Sequence, residues 1–519
     1  MTMDERADSM KKEEIVALLV AHDQLSNRLS EVQQQLDWFK RQLFGEKAEK
    51  RRFTPDGRQI FLGEIADEAT APAATRKVAG YERRVRTRDE ESEGDGNLRF
   101  DASVPIQVIE VPDPSGEAIS PETHELVSEK VTDRLAQRPG SYVVLRFVRK
   151  VWKRKADASL ICSPAPSAVL ERSMADVSLL AGLLIDKFNY HLPLYRQHQR
   201  MAAAGVHLTR ATLTNWVHRS CELLKPIYEA QLASILSGSV VTMDETPIRA
   251  GRDKPGKMKR GYFWPVYGEK DEVAFPFSQT RGTAFVKDVL SSFAGRLVTD
   301  GYDVYGQYAA RVNDIVHALC WSHTRRGFEQ ALAAEPTLSN LALAHIGKLY
   351  EKDAALKRKD LSPEQRLEHR GEHSKPIVDE FFAWLRGEVE KQVLLPSHPF
   401  LKAAYYALER EAGLRVFLEY PDVPIDTNHL ERQIRPIAVG RKNWLFCWTE
   451  IGAQYVGVIQ SLLATCRLQG VAPYTYLVDV LQRVDGHPAS RVAELTPRLW
   501  KEHFGANPLP SELDRLRIR

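Results

Sequence analysis

Between Ile15 and Leu43 apolar residues return every seven positions, with Ile15, Leu29, Leu36 and Leu43 in one register and Leu18, Leu25, Val32 and Phe39 in the other. These are the two core positions of a coiled coil, with His22 as one imperfect layer, so residues 1–45 are expected to form a self-association helix. A helix packing the same face on its own chain is the alternative, since the run is only about four heptads long. From 46 to 98 the periodicity stops. KAEKRR at 47–52, the scattered arginines after 76 and the acidic run from Glu90 leave too few apolar residues to order a chain, which reads as a largely disordered linker.

Strand-like segments follow at 104–112 and 141–152, the second alternating Val143, Leu145 and Phe147 with polar neighbours, in a small β-containing region over 99–172. From Asp176 the pattern becomes helical. Residues 192–224 fit a helix, a Gly-containing turn and a second helix capped by Thr209, within a helix-turn-helix region over 173–236. Leu213, Trp216 and Val217 would face inward, while Arg210, Thr212, Thr214, Asn215 and Arg219 would face outward, as residue types able to reach phosphates or base edges. A helical hairpin with no DNA role gives the same pattern.

The stretch over 237–328 mixes strands and helices. Val240, Val241 and Met243 form a short apolar run closing on Asp244, Arg296–Asp300 repeats that design, and 261–278 reads as a hairpin turning at Glu269–Asp271. A helix is expected over Thr283–Phe293 and a strand over 315–321. From 329 to 420 the chain reads as almost continuous helix, too long for a connection and therefore an insertion. In 421–484, Asp426, Thr427 and Asn428 are N-cap types preceding Leu430, Ile434 and Ile437 at helical spacing, and Pro436 should end that helix. Beyond it, 440–448 interleaves basic and aromatic residues: Arg441 and Lys442 could hold phosphates and Trp444 could stack on a base. A strand packing Trp444, Phe446 and Trp448 into a core is the alternative. A helix over Ile451–Gln469 would close the core, and 485–519 is a tail with Leu495, Leu499 and Trp500 as isolated apolar positions.

A 43% hydrophobic content over 519 residues is enough for several cores. The net charge of +3, from 72 basic against 69 acidic residues, does not by itself identify a nucleic-acid partner; local patches must. The five cysteines include no Cys-x-x-Cys pair and suit an intracellular thiol state. No apolar stretch approaches the roughly 20 residues of a spanning helix and the N-terminus has no signal core, so a cytoplasmic protein without membrane contact is expected.

The chemistry-bearing pattern is acidic. Asp244 and Asp300 close strands, where open α/β sheets put their functional residues, and Glu431 lies beside the apolar stripe of its helix. Three such hard oxygen donors suit Mg²⁺ or Mn²⁺, and a pair of ions about 3.5–4 Å apart serves in-line phosphoryl displacement. Spacing alone leaves Glu245 and Asp303 open as alternatives, and a single strand-end carboxylate is most simply a solvated one. His317, Cys320 and His323 are only three potential ligands split between a strand and a helix, so zinc is not expected there.

MDETP at 243–247, TDGYDVY at 299–305, CWSHTRR at 320–326 and NHLERQIRPIAVGRKNWLF at 428–446 occur in this order, and together they resemble the transposases of the insertion sequence 66 family, a bacterial DDE group. The likeness runs from about 170 to about 483. It implies a multidomain α/β protein whose RNase H-like catalytic domain, over 237–328 and 421–484, is interrupted by the helical insertion at 329–420. It further implies Asp244, Asp300 and Glu431 as ligands of two Mg²⁺ or Mn²⁺ ions in a DDE-type transposase. Such an enzyme cuts at the ends of its mobile element and joins the 3′-hydroxyl to target DNA. His323 and Arg326 in one motif and Arg435 in another would then lie at DNA, although Arg435 could equally pair with Glu431. A homodimer or higher oligomer through the coiled coil, and companion proteins encoded by the same element, are the other implied partners. The family often carries a cysteine-rich zinc element where this chain keeps only Cys162, so no structural zinc is expected. A metal-dependent nuclease that never joins, and a catalytically inert DNA-binding regulator, are the rival readings.

Overall fold

The computed structural model describes residues 75–78, 81–84 and 98–515, apart from 114–118, 121, 139, 255, 358–360, 392–393 and 445–446. The heptad segment at 15–43 and most of the linker lie outside the described residues. The chain divides into two compact units. One comprises the chain up to Leu180, Leu194–Glu222 and the chain from Ser511; the other comprises Ala181–Pro193 and Leu223–Pro510.

The first unit is built on a long antiparallel hairpin, His124–Arg138 with Ser141–Arg154, flanked by Ile106–Glu110 running parallel to the second strand. The two expected strands are present. Their partner His124–Arg138 was not legible, because most of it lies at the surface: Val127 and Val131 are exposed, while Leu135 is buried and Ala136 packs with Leu145 and Phe147. In the same unit Leu194–Ala203 is followed by a turn at Gly205, whose φ of +78° favours glycine, and by the first part of the helix Arg210–Leu236, which from Leu223 belongs to the second unit. Thr209 caps that helix as expected, its Oγ1 accepting from the Thr212 N–H at 3.1 Å. Leu213, Trp216 and Val217 are buried.

The second unit contains a five-stranded sheet. We label its strands β1 (Val240–Met243), β2 (Val266–Gly268), β3 (Glu272–Ala274), β4 (Gly295–Thr299) and β5 (Ile315–Leu319). Their spatial order is β3-β2-β1-β4-β5. The first three are antiparallel neighbours, whereas β1, β4 and β5 run parallel. Both faces of the sheet are covered, which is why β1 reads as a near-continuous apolar run broken only by Thr242. Val241, Met243 and Leu297 pack with Trp264 and Tyr305 on one side, and Val240, Val298 and Ala318 pack with Trp321 and Phe328 on the other. The turn at 269–271 falls where expected, with Asp271 at φ +55°. An additional hairpin, Thr246–Lys254 with Lys257–Phe263, extends beyond β1 and was hidden by its charged, glycine-broken sequence.

Helices dominate from Trp321 to Leu418, as the pattern indicates. Trp321–Ala331 (α1), Pro336–Lys357, Lys375–Glu390 and Pro399–Glu409 gather around Phe328, Phe381, Phe382 and Phe400.

One expectation fails near the end of the chain: the helix carrying Glu431 (α2, Asn428–Trp444) continues through Pro436 and takes in Gly440–Trp444, where a strand was the alternative reading. A proline inside a helix costs about 3 kcal/mol. Burying Leu430, Ile437 and Gly440 along one stripe on both sides of it offsets that cost. Among the described residues of this stretch only Cys447 makes a β-bridge, to Ala250, and Trp448 is exposed. The region read as a tail is also packed: Leu495 and Trp500 are buried, and Trp500 Nε1 donates to the fully buried Asp479 at 2.8 Å. Among the described residues no helix is long and apolar enough to cross a membrane.

Candidate active site

β1 and β4 pair in parallel with Val240 opposite Arg296, Val241 opposite Leu297 and Thr242 opposite Val298. Asp244 and Asp300 are the residues that follow directly on these two strands, and Asp300 lies near enough to Asp244 to raise its pKa. Each carboxylate spends one oxygen on local backbone. Asp244 Oδ1 accepts the Glu245 N–H at 2.7 Å, and Asp300 Oδ1 accepts the Tyr302 N–H at 2.9 Å.

Glu431 arrives after the helices of 321–418 on α2, whose start is fixed to the sheet. Asp426 Oδ1 accepts the Asn428 N–H at 3.1 Å, and Thr427 donates its N–H and hydroxyl to Cys320 Sγ, both at 3.3 Å. His429 Nε2 lies 3.1 Å from the Thr242 hydroxyl of β1, with its ring edge-on to Tyr267. Two residues later Glu431 faces α1, where its Oε1 is 3.6 Å from an Arg326 nitrogen and 3.8 Å from His323 Nε2.

Asp244 feels the other two acids. Asp244 is pushed up from its ordinary 3.8 to about 7, first by burial and next by Asp300, with Glu245 and Glu431 adding to the push. Behind the pair, burial holds His317 down at about 4, and this neutral ring bonds the Thr299 hydroxyl at 2.8 Å. His317 and Cys320 are thus engaged in packing contacts.

Glu245 has another occupation. Its carboxylate, only 4% exposed, takes both Arg281 and the Tyr305 hydroxyl, the latter at 2.9 Å. Asp303 sits exposed in the first turn of the Asp303–Ala309 helix.

Among the described residues no three His, Cys, Asp or Glu side chains are gathered at ligand distance. Asp244, Asp300 and Glu431 converge without closing, with Glu431 leaning on His323 and Arg326. The donor set still fits a divalent cation, because hard oxygens share a partly buried place where accumulated negative charge already suppresses ionisation of one member.

The sign of the pH effect follows from Asp244. Its folded pKa lies above the unfolded one, so its contribution to stability is complete below about pH 4 and is lost as pH rises to about 7. Asp244→Asn should therefore flatten that slope in metal-free protein and raise stability at pH 8 by roughly 1–2 kcal/mol after allowing for solvent screening. Urea denaturation at pH 5 and pH 8 checks this; a variant less stable than the parent at pH 8 contradicts it.

The residues expected at DNA separate into two sets. On the 210–236 helix Arg210 and Asn215 are exposed, with Arg210 near the Tyr195 ring. Thr212 is used in the Thr209 cap, Thr214 donates to the Arg210 carbonyl, and Arg219 donates twice to the Glu171 carbonyl. On α1 and α2, Arg326 is half exposed while also facing Glu431, and Arg435 and Lys442 are exposed. Arg441 donates to the Pro247 carbonyl. Trp444 folds back over Gly440, where any Cβ would strike its indole, so it is not splayed toward a base. Sequence reasoning missed Arg281, Tyr406 and Arg410, which belong to no period or short motif, and passed over Tyr302, which lies within the TDGYDVY motif.

Residues 172–455 match the family model described as "Transposase IS66 family", and residues 461–498 match the "IS66 C-terminal element". Similar curated proteins come from Sinorhizobium fredii (strain NBRC 101917 / NGR234). The uncharacterized protein y4hP is 28% identical over 501 residues, covering 91% of this chain and 89% of the relative. The uncharacterized protein y4jD is 28% identical over 509 residues, covering 92% and 96%. The uncharacterized protein y4qI is 30% identical over 396 residues, covering 72% of each.

Proposed function

This chain belongs to the IS66 family of transposases, and from that premise we propose that it is a DDE-type enzyme that cuts and joins DNA at the ends of an insertion sequence. What supports the reading is that Asp244 and Asp300 directly follow the ends of two parallel neighbouring strands, near enough for Asp300, and more weakly Glu431, to add to the burial that suppresses ionisation of Asp244. Three antiparallel strands followed by two parallel ones support an RNase H-like core, with the helices from Pro336 onward as its insertion.

Asp244, Asp300 and Glu431 would hold Mg²⁺ or Mn²⁺, two ions in the full site. When bound, these lower the pKa of an attacking oxygen and stabilise the leaving one. The protein's own groups do the rest. His323 and Arg326 orient Glu431; neutral His317 braces Thr299 beneath Asp300; Arg435 and Lys442 offer phosphate contacts that weaken with salt. Hydrolysis of one phosphodiester frees a 3′-hydroxyl, and that oxygen then attacks a target phosphodiester, displacing its 3′ oxygen without a covalent enzyme intermediate. Element ends would be recognised through Arg210 and Asn215, with dimerisation through residues 1–45 and with companion proteins of the element as further partners.

The test is a strand-transfer assay with full-length protein, Mg²⁺ or Mn²⁺, and an element end carrying a precut 3′-hydroxyl. Joined product is expected. Hydrolysis without joining would make the protein a nuclease, and salt-sensitive binding without cleavage would make it a regulator.

A further inference from the structure

β4 ends at Thr299, so Asp300 and Gly301 lie beyond the sheet's own hydrogen bonds. Their position must be set by something else. Part of the answer is local: the Thr299 hydroxyl donates to the Asp300 carbonyl at 2.8 Å. The rest comes from the helical insertion. Arg410, at the C-terminal cap of Pro399–Glu409, donates through Nη2 to the Gly301 carbonyl at 3.2 Å. Tyr406, one turn earlier, places its hydroxyl against the Gly301 backbone, and that phenol is held protonated first by burial, with the nearby Asp300 carboxylate adding to the push.

Gly301 is permitted here by space rather than by conformation. A Cβ at this position would run into the Tyr406 hydroxyl and Arg410 Nε, so only glycine lets the two side chains close on the peptide. The clamp is itself stiff. The Arg410 guanidinium stacks 4.0 Å from the Tyr406 ring centroid, and Nη1 reaches back to the Tyr406 carbonyl at 3.4 Å. The same helix buries Phe400, Ala403, Ala404 and Ala407 in the core of the insertion. A continuous rigid path therefore runs from that core through Tyr406 and Arg410 to the peptide after Asp300.

We infer that the helical insertion positions the second carboxylate: Tyr406 and Arg410 clamp Gly301 and thereby fix Asp300 for divalent-cation binding. The inference rests on Asp300 being a metal ligand. Arg410 is a positioning residue, and the sign of its effect separates this role from a simple charge effect. A guanidinium near a cation site repels the cation, so its removal would tighten Mn²⁺ binding if charge were all that mattered. A positioning role predicts weaker binding.

The experiment titrates full-length protein with Mn²⁺ alone, reads free Mn²⁺ by electron paramagnetic resonance, and records the thermal midpoint of each variant without metal. Arg410→Ala should weaken Mn²⁺ binding roughly tenfold or more, as loss of outer support for a ligand does, with its midpoint near that of the parent. Arg410→Lys, which keeps a donor for the Gly301 carbonyl, should recover part of the loss. Tyr406→Phe and Gly301→Ala should weaken binding in the same direction, and Tyr406→Phe serves if the glycine variant does not fold. Unchanged or tighter Mn²⁺ binding in Arg410→Ala, with Asp300→Asn weakened as expected, overturns the clamp alone. Parental Mn²⁺ binding in Asp300→Asn overturns the metal assignment and the clamp together.

Discussion

Asp244→Asn, Asp300→Asn and Glu431→Gln should each lower strand joining by roughly three orders of magnitude or more, because groups that act as one unit lose nearly everything when one is removed. Each substitution keeps side-chain shape and removes only the charge that would hold a cation. Binding of element ends, measured by gel shift at fixed salt, should be unchanged. Near-parental joining by any one variant would remove that residue from the assignment. Glu245→Gln is the informative contrast. The Glu245 carboxylate is almost fully buried against Arg281 and Tyr305, so its loss should appear as reduced stability, chiefly through the weakened bond to the buried Tyr305 hydroxyl, since Arg281 is 43% exposed and keeps its solvation.

Arg370→Met should destabilise the second unit by about 3–5 kcal/mol, in the range for removing one buried charged partner from its acceptors. Arg370 is buried and donates to the carbonyls of Phe417 at 2.6 Å, Tyr420 at 2.8 Å and Val423 at 3.0 Å. Burial lowers its pKa to about 10, so it keeps its proton at neutral pH. Methionine would fill much of the volume and leave three carbonyls without their donor. Those carbonyls belong to the segment leading to Ile425, whose own carbonyl accepts the Trp321 N–H at 3.0 Å, and then to the Asp426 cap of α2. A loss of joining should therefore accompany the loss of stability even at temperatures where the variant remains folded. Urea denaturation gives the first quantity; a change below about 1 kcal/mol, the net worth of one ordinary hydrogen bond, would show that the three bonds do not act as a buried clasp.

Several elements were legible because their cause is local. The turn at 269–271, the Thr209 cap, the Asp426 cap and the helices after Trp321 each follow from residue types a few positions apart. Where the reading failed, the cause was distant. Pro436 lies inside a helix because buried residues on both sides of it offset its cost. His124–Arg138 is a strand despite its charge because a partner across a tight turn supplies the hydrogen bonds. Leu495 and Trp500 have no periodicity of their own, yet they are core residues because Asp479 and Tyr476 come to meet them.

By itself the sequence determined the apolar runs that end on Asp244 and Asp300, the cap that starts the Glu431 helix, and the motifs that mark the family. Those features are written within one strand or one turn, where neighbouring residues decide the backbone. Only the tertiary structure decided that Glu245 is tied to Arg281 and Tyr305, that Glu431 leans on His323 and Arg326, and that Arg410 holds the carbonyl of Gly301. The last bond spans 109 residues, and a contact across that much chain leaves no period or spacing to read.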